Sequence, residues 1–378
     1  MQTKKPGIKV AVLVPYPIFP AATGGQKCIA DFYSYLSQNV NVTLLGTTNQ
    51  PPAGYTVPFK GIMPAHKLRY INPLLFFKIK KLVKQEAFTH LIIEHPYFGW
   101  LAVLLQNFCK LPLLVRSHNI EAIRFKSMHK WWWKILWHYE RWVHRKAAAS
   151  FFITPEDAAF AQNHFNLDHT KCHVITYGTH LQHIPTMEER KMASDAVRQL
   201  HQIKASEKIL LFNGSLNYQP NIDAVNTIIN FINPLLLNAQ HFPYKIIICG
   251  AGLPAHFNNL EAYQLQHIIY AGFVPDISIY FKAADIFINP VIKGGGIKTK
   301  LVEAVGYNVS CVSTSSGAFG LNAAVAGKKI EVVADGDWQS FADAILNTEK
   351  SQNTGPAFFN YFYWGNIAKK AEAVLINM

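Results

Sequence analysis

Three consecutive glycines, Gly294, Gly295 and Gly296, stand just ahead of Lys298, Lys300 and Glu303. The apolar run Asp285-Ile-Phe-Ile-Asn289 before them reads as a buried strand, and a helical pattern opens after them. A glycine-rich turn from strand to helix exposes backbone N–H groups at the positive end of the helix, where phosphate oxygens are stabilised. Two ammonium groups add full charge beside those donors. Glu303, a turn or so in, suits the hydroxyls of a sugar or ribose. Together these groups imply nucleoside diphosphate chemistry. The competing reading is a tight βα turn with a solvated lysine pair, in which Glu303 only complements the helix macrodipole.

The elements that must carry such a site alternate along the chain. Its 378 residues are 50% hydrophobic and 16% charged, which suits two or three folded domains. Lys9–Val14, Asn41–Leu45, Thr89–Glu94, Leu113–Ser117, Ser150–Thr154 and His173–Thr176 read as strands with helical patterns between them, the first of these over Gln26–Gln38. A polar, helix-like bridge at about 184–206 precedes a second series: Lys208–Asn213, Tyr244–Cys249, Ile268–Ala271, Ile286–Ile288 and Ser310–Ser313. Such alternation predicts an α/β chain of two Rossmann-like, doubly wound domains facing across a cleft. The expected boundaries are 1–185, 186–360 and 361–378, with the last helix, from about Trp364 to Leu375, packing back on the first domain. Ligands bind such sheets at the carboxyl ends of the strands. Glu94, His95, His118 and Asn119 fall there, as do Gly24, Gly25, Gly214 and Gly294–Gly296. A strand-end histidine such as His118 is also a common hydrogen-bonded structural residue. Cys249-Gly-Ala-Gly252 lacks the third glycine and the later acid of a dinucleotide fingerprint.

The five scattered cysteines, without CxxC spacing, favour buried thiols in a reducing compartment over disulfides or zinc. The run after the basic residues 1–8 is too short for a signal peptide, and no window reaches a membrane span, so a cytoplasmic chain is expected.

Charge is uneven. Residues 1–190 carry 22 Lys/Arg against 10 Asp/Glu, while residues 191–378 carry 14 against 13. The basic half calls for an anionic partner: a membrane surface, a phospholipid-like acceptor or nucleic acid. No RRM, KH or helix-turn-helix pattern supports nucleic acid. Lys126–Lys146 holds five of the eight tryptophans and six basic residues against one acid, Glu140. As one helix it would set Lys126, Lys130 and Lys134 on one side. Trp131, Trp132, Lys130 and Lys134 are then candidates for contact with the inner face of a membrane. Ordinary packing on the sheet is the alternative. Leu74–Lys84 is a second basic amphipathic segment.

In order and spacing these loops resemble the GT-B glycosyltransferases, specifically glycosyltransferase family 4, over nearly the whole chain. Pro15–Gln26 looks like that family's N-terminal loop, whose Gly-Gly (Gly24, Gly25) approaches the donor diphosphate. Arg116-Ser-His-Asn-Ile-Glu121 looks like its His-Asn-x-Glu segment, with Ile153–Asp157 and Val174–Gly178 at two further characteristic strand ends. Phe212-Asn-Gly-Ser-Leu-Asn-Tyr-Gln-Pro-Asn221, with Gly214, resembles the opening of the second domain in one subgroup. Gly272-Phe-Val-Pro-Asp276 looks like the loop whose backbone, at Phe273 and Val274, recognises the base. Gly294–Ala304 looks like the signature helix start, where the second glutamate of an E-x7-E pattern, here Glu303, binds ribose.

The resemblance implies a retaining, metal-independent transfer of a sugar from a nucleotide diphosphate donor, with no cofactor. His118 would meet the donor sugar or an acceptor hydroxyl, and the leaving phosphate itself could take the acceptor proton. Glu94, His95 and Asn119 would touch the acceptor, expected to be a lipid-linked or cell-envelope glycan. Two departures matter. Gly295 stands where the first glutamate of the pattern would face the sugar, and Ser215–Tyr218 stand where many members carry Arg and Lys. Lys298 and Lys300 are expected to supply the cationic clamp instead. The departures also leave open a catalytically silent GT-B protein that binds nucleotide or glycan as a partner subunit.

Overall fold

The computed structural model of the protein describes residues 7–21, 23–48, 51–348 and 352–378. Ala22, in the first glycine loop, and the basic residues before Gly7 lie outside them. The chain divides into two units, Met1–Gly178 with Phe362–Met378, and Thr179–Tyr361.

In the first unit seven strands pair in parallel in the order β3-β2-β1-β4-β5-β6-β7. They are β1 (Lys9–Leu13), β2 (Asn41–Thr47), β3 (Phe59–Met63), β4 (His90–Glu94), β5 (Leu113–Ser117), β6 (Ala149–Phe152) and β7 (Cys172–Val174). The central strands are continuous apolar runs because helices cover both faces: Val10–Leu13 and Leu91–Ile93 are wholly buried. Helices Leu74–Glu86, Gly99–Cys109 and Trp133–Lys146 share one core on one side. Helix Trp364–Ile376 packs on helix Gly24–Leu36 within this unit.

The second unit repeats the plan with β8 (Lys208–Asn213), β9 (Tyr244–Cys249), β10 (Ile268–Gly272), β11 (Ile286–Asn289), β12 (Ser310–Thr314) and β13 (Ile330–Val333). Their order is β10-β9-β8-β11-β12-β13, all parallel. Each sheet therefore reverses direction of growth once, between β1 and β4 and between β8 and β11. Those switch points open a crevice at the strands' carboxyl ends. The bridge read as helix-like is helix Met187–His201, started by a capping box from Thr186 to Glu189.

Both strands absent from the sequence expectation, β3 and β13, lie at sheet edges. Each is short and carries exposed residues, Gly61 in one and Glu331 and Val332 in the other. Half-covered strands lack the unbroken apolar run that marks a central one.

The tryptophan-rich segment is not one helix. Helix Glu121–Ser127 ends, His129 adopts φ +54°, and helix Trp133–Lys146 begins afresh. The physical reason is Glu140. Its fully buried carboxylate accepts the Glu121 and Ala122 backbone N–H groups, each at 2.9 Å, so the short helix must fold back to be capped. Lys126, Lys130 and Lys134 consequently do not form one helical row.

Candidate active site

The second unit places its cationic groups at its switch point. The loops after β8 and β9 are zipped together by Gly214 N–H to Cys249 O at 3.0 Å and Leu216 N–H to Ala251 O at 2.8 Å. Gly250 permits this approach: with φ +147°, a Cβ there would lie 1.8 Å from the Gly214 carbonyl oxygen. After β11 the triple-glycine bend uses φ +91° at Gly294 and +69° at Gly296, and a Cβ on Gly294 would sit 2.9 Å from the Tyr218 hydroxyl.

Lys298 occupies the N-cap position of helix Thr299–Gly306 without a side-chain cap bond, and its ammonium turns into the bend. It donates to the carbonyl oxygens of Gly294 (3.0 Å), Gly295 (3.4 Å) and Gly296 (2.9 Å). The bend's own carbonyls hold this ammonium, which is therefore not the solvated lysine of the competing reading. Lys300 donates to Asn213 O at 3.0 Å and Asn221 Oδ1 at 3.1 Å, and lies 4.4 Å over the Phe212 ring. Among the described residues neither ammonium forms an ion pair with a carboxylate. Burial pushes Lys298 down to about 8, and burial together with repulsion from Lys298 pushes Lys300 down to about 7. Two half-buried cations side by side without a counter-charge suit an anion.

Glu303 is the fifth residue of its eight-residue helix and partly buried, beyond the first turn where the macrodipole acts. The plain macrodipole role does not fit it. In the neighbouring loop Phe273 is 74% exposed and Val274 partly buried, after Gly272 at φ +66°.

In the first unit, Gly24 and Gly25 are the first two residues of helix Gly24–Leu36, two positions earlier than the expected start, capped by Thr23. Between that helix and the ends of β4 and β5 lies a buried network that the motifs only partly disclosed. Glu94 accepts from Tyr33 Oη (2.5 Å), Arg116 Nη1 (3.2 Å to each oxygen) and His118 Nε2 (2.7 Å). Burial works to raise the Glu94 carboxyl, but Arg116, His118 and Tyr33 outweigh it and bring it down to about 2. His118 is 8% exposed, and burial, then neighbouring His95, push its imidazole down to about 4.

His95 is engaged at both ring nitrogens, Nδ1 with Glu121 at 3.0 Å and Nε2 with the Tyr16 hydroxyl at 3.1 Å. Glu121 also accepts from Tyr97 and Arg124; these and His95 overcome its burial and hold its carboxyl well below the usual range. His95 has φ +59°, ψ 163°, a strained setting for a side-chain-bearing residue that these bonds must over-determine. The expectation that Glu94 and His95 touch an acceptor does not match their geometry: they are 0% and 5% exposed, with polar atoms spent internally. Asn119 is half-exposed on the turn beyond His118. Arg116 and Glu121 stand in the quoted motif and Tyr16 in the quoted first loop, but none was assigned a role, and Tyr33, inside an apolar helical pattern, was missed: their shared partners come together only through the strand order.

Of the proposed surface residues, Lys130, Trp131 and Lys134 are exposed, Trp131 by 83%, whereas Trp132 folds back on Phe125 with ring centroids 4.5 Å apart. Among the described residues no helix is long and apolar enough to cross a membrane.

Two family models match, one on each sheet: Glycosyltransferase Family 4 over residues 22–183 and Glycosyl transferases group 1 over residues 207–350. No curated protein sequence matches. Among solved structures, Anabaena HepE in complex with UDP superposes with a TM-score of 0.75 at 14% identity, over 98% of this chain and 100% of that one. Sucrose-phosphate synthase from Thermosynechococcus elongatus follows at 0.71, 14% identity and 98% of both chains. The lipopolysaccharide outer core galactosyltransferase WaaB reaches 0.65 at 12% identity, over 98% and 99%. At such identities these structures establish the GT-B fold. With both sheets matched by models of one family, the chain belongs to glycosyltransferase family 4 (group 1), the retaining, nucleotide-sugar-dependent glycosyltransferases.

Proposed function

We propose that the protein transfers a sugar from a uridine diphosphate donor to a lipid-linked or cell-envelope glycan. The observation that carries the donor half is the unpaired Lys298–Lys300 couple at the switch point of the second sheet. A departing nucleoside diphosphate needs its developing charge neutralised, and preorganised cations supply that stabilisation. Glu303 would hold the ribose hydroxyls, the backbone at Phe273–Val274 the base, and Gly24, Gly25 and Gly214 the close approach to phosphate. Uridine is favoured because structures of similar fold contain UDP and UDP-glucose. His118 would serve the reacting sugar from the first unit.

A panel of UDP-, GDP- and ADP-sugars tests this. One UDP-sugar should turn over, and Glu303→Ala should raise its KM by about 10- to 100-fold, the worth of a hydrogen bond to a charged group. Equal kinetics in the two proteins would defeat the ribose role.

The acceptor half rests on the exposed residues of the first unit between positions 64 and 146. From residue 64 to 146 the chain has fifteen Lys/Arg and four carboxylates. Glu94, Glu121 and Glu140 are fully buried, and Glu86 pairs with Lys60. What this segment offers solvent is therefore almost only positive charge, although Arg69 and Arg116 are buried, and it also exposes Ile71, Leu74, Phe77, Phe108, Trp131 and Ile135. Such a surface suits the anionic inner leaflet, where a lipid-linked acceptor would be presented. Vesicles with anionic lipid should bind the protein, and neutral vesicles should bind it much less. Phe77→Ser with Trp131→Ser should cut partition by about tenfold or more, given roughly 1.5–3 kcal/mol per buried large apolar side chain. Partition indifferent to lipid charge and to both changes would remove the membrane from the proposal.

A further inference from the structure

The Glu94–His118 contact has a direction that its surroundings dictate. Glu94 is 0% exposed and beside Arg116, itself 0% exposed, whose guanidinium keeps the carboxylate ionised. An ionised carboxylate only accepts, so the hydrogen in the 2.7 Å contact belongs to His118 Nε2. Arg116 Nη1, 3.2 Å from the same nitrogen, has no lone pair and sends its hydrogens to the carboxylate. A neutral imidazole with its proton on Nε2 keeps its lone pair on Nδ1. That atom has no hydrogen-bond partner among the described residues.

We infer that Glu94 is a positioning residue, which locks His118 in the Nε2–H tautomer so that Nδ1 accepts a hydrogen from a hydroxyl of the reacting sugar. The inference rests on the proposal that His118 serves the transfer. Tyr33, reaching Glu94 from helix Gly24–Leu36, and Arg116, braced 3.1 Å from Cys28 Sγ and 4.2 Å above the Phe32 ring, complete the clamp. The ring of His95 lies 4.4 Å from that of His118 and limits its rotation from the other side. The rival explanation is that Arg116 and Glu94 form a buried ion pair that merely supports the fold, with His118 filling the remaining acceptor site.

Nitrogen-15 NMR of the full chain, with His118→Asn used for assignment, reads the tautomer directly. The expected signature in the native protein is Nε2–H; an Nδ1–H signature overturns the inference whatever the enzyme does. Glu94→Gln should lower kcat about tenfold, the worth of the hydrogen bond that a mis-set tautomer loses, with the Kd for UDP unchanged, because the cationic site belongs to the second unit. In a His118→Asn background the same change should cost less than about twofold, the non-additivity expected of groups that act as one. Full additivity assigns Glu94 to the fold alone. Should Glu94→Gln fail to fold for want of a partner to Arg116, His118→Asn and His118→Gln still decide. The Asn oxygen stands near the Nδ1 position and the Gln oxygen near Nε2, so Asn should retain about tenfold more activity, and the reverse order overturns the inference. If no nucleotide sugar turns over, the functional proposal fails, and the tautomer alone judges the clamp.

Discussion

Lys300→Met should weaken UDP binding by about 10- to 100-fold and leave the stability of the free protein unchanged or higher. A charge-assisted hydrogen bond to phosphate contributes about 1.5–3 kcal/mol, which is that factor. In the free protein the same ammonium stabilises little. It is half-buried, repelled by Lys298 and held only by Asn213 O and Asn221 Oδ1. Methionine keeps most of the stem against Phe212 without the charge. Function-bearing cations of this kind often reduce stability.

The pH dependence has a defined sign. Lys300 and Lys298 titrate at about 7 and about 8 in the fold against an ordinary 10.5. Between those values the native state binds fewer protons than the unfolded chain, so their contribution makes the free protein more stable as pH rises from about 7 to about 10.5. A bound diphosphate favours both charged forms, so binding takes up protons and affinity falls as pH rises past about 7 to 8. Calorimetry at pH 8 in buffers of different ionisation enthalpy measures the uptake, which Lys300→Met should reduce. Affinity flat across that range would show that the lysines do not meet the phosphates.

Trp364→Ala should destabilise the first unit by about 3–5 kcal/mol, the usual effect of truncating a buried tryptophan. Trp364 is 0% exposed, packs on Phe32 and Tyr177, and fills the space a side chain at Gly178 would need, 2.4 Å from the would-be Cβ. Its indole N–H is buried without a partner, so Trp364→Phe should cost less than about 1.5 kcal/mol. The effect extends to activity, because Phe32 supports Arg116, Arg116 holds Glu94, and Glu94 holds His118. Scanning calorimetry of the whole chain should show the first transition lowered by roughly 10 °C, with kcat reduced and the Kd for UDP kept. Unchanged melting would mean that the C-terminal helix is not anchored through this residue.

Strand ends were legible because parallel strands covered on both faces must be unbroken apolar runs. The polar residues that interrupt them, at Glu94, His118, Asn213 and Asn289, mark the end of each strand. Glycines with a single workable backbone setting, such as Gly294 and Gly296, were legible for the same local reason. The edges β3 and β13 were not, since exposure dilutes the pattern.

By itself, then, the amino-acid order determined the alternating plan, the strand-end positions of the polar motifs and the basic character of the first half. All three follow from local periodicity and composition. Strand order was decided only in three dimensions, and it alone puts Arg116 between Glu94 and Cys28, residues far apart in the chain. So was the burial of Glu94 and His95, and the turning of Lys298 into its own bend. A side chain's partners depend on which distant backbone closes over it, and one residue's type does not encode that.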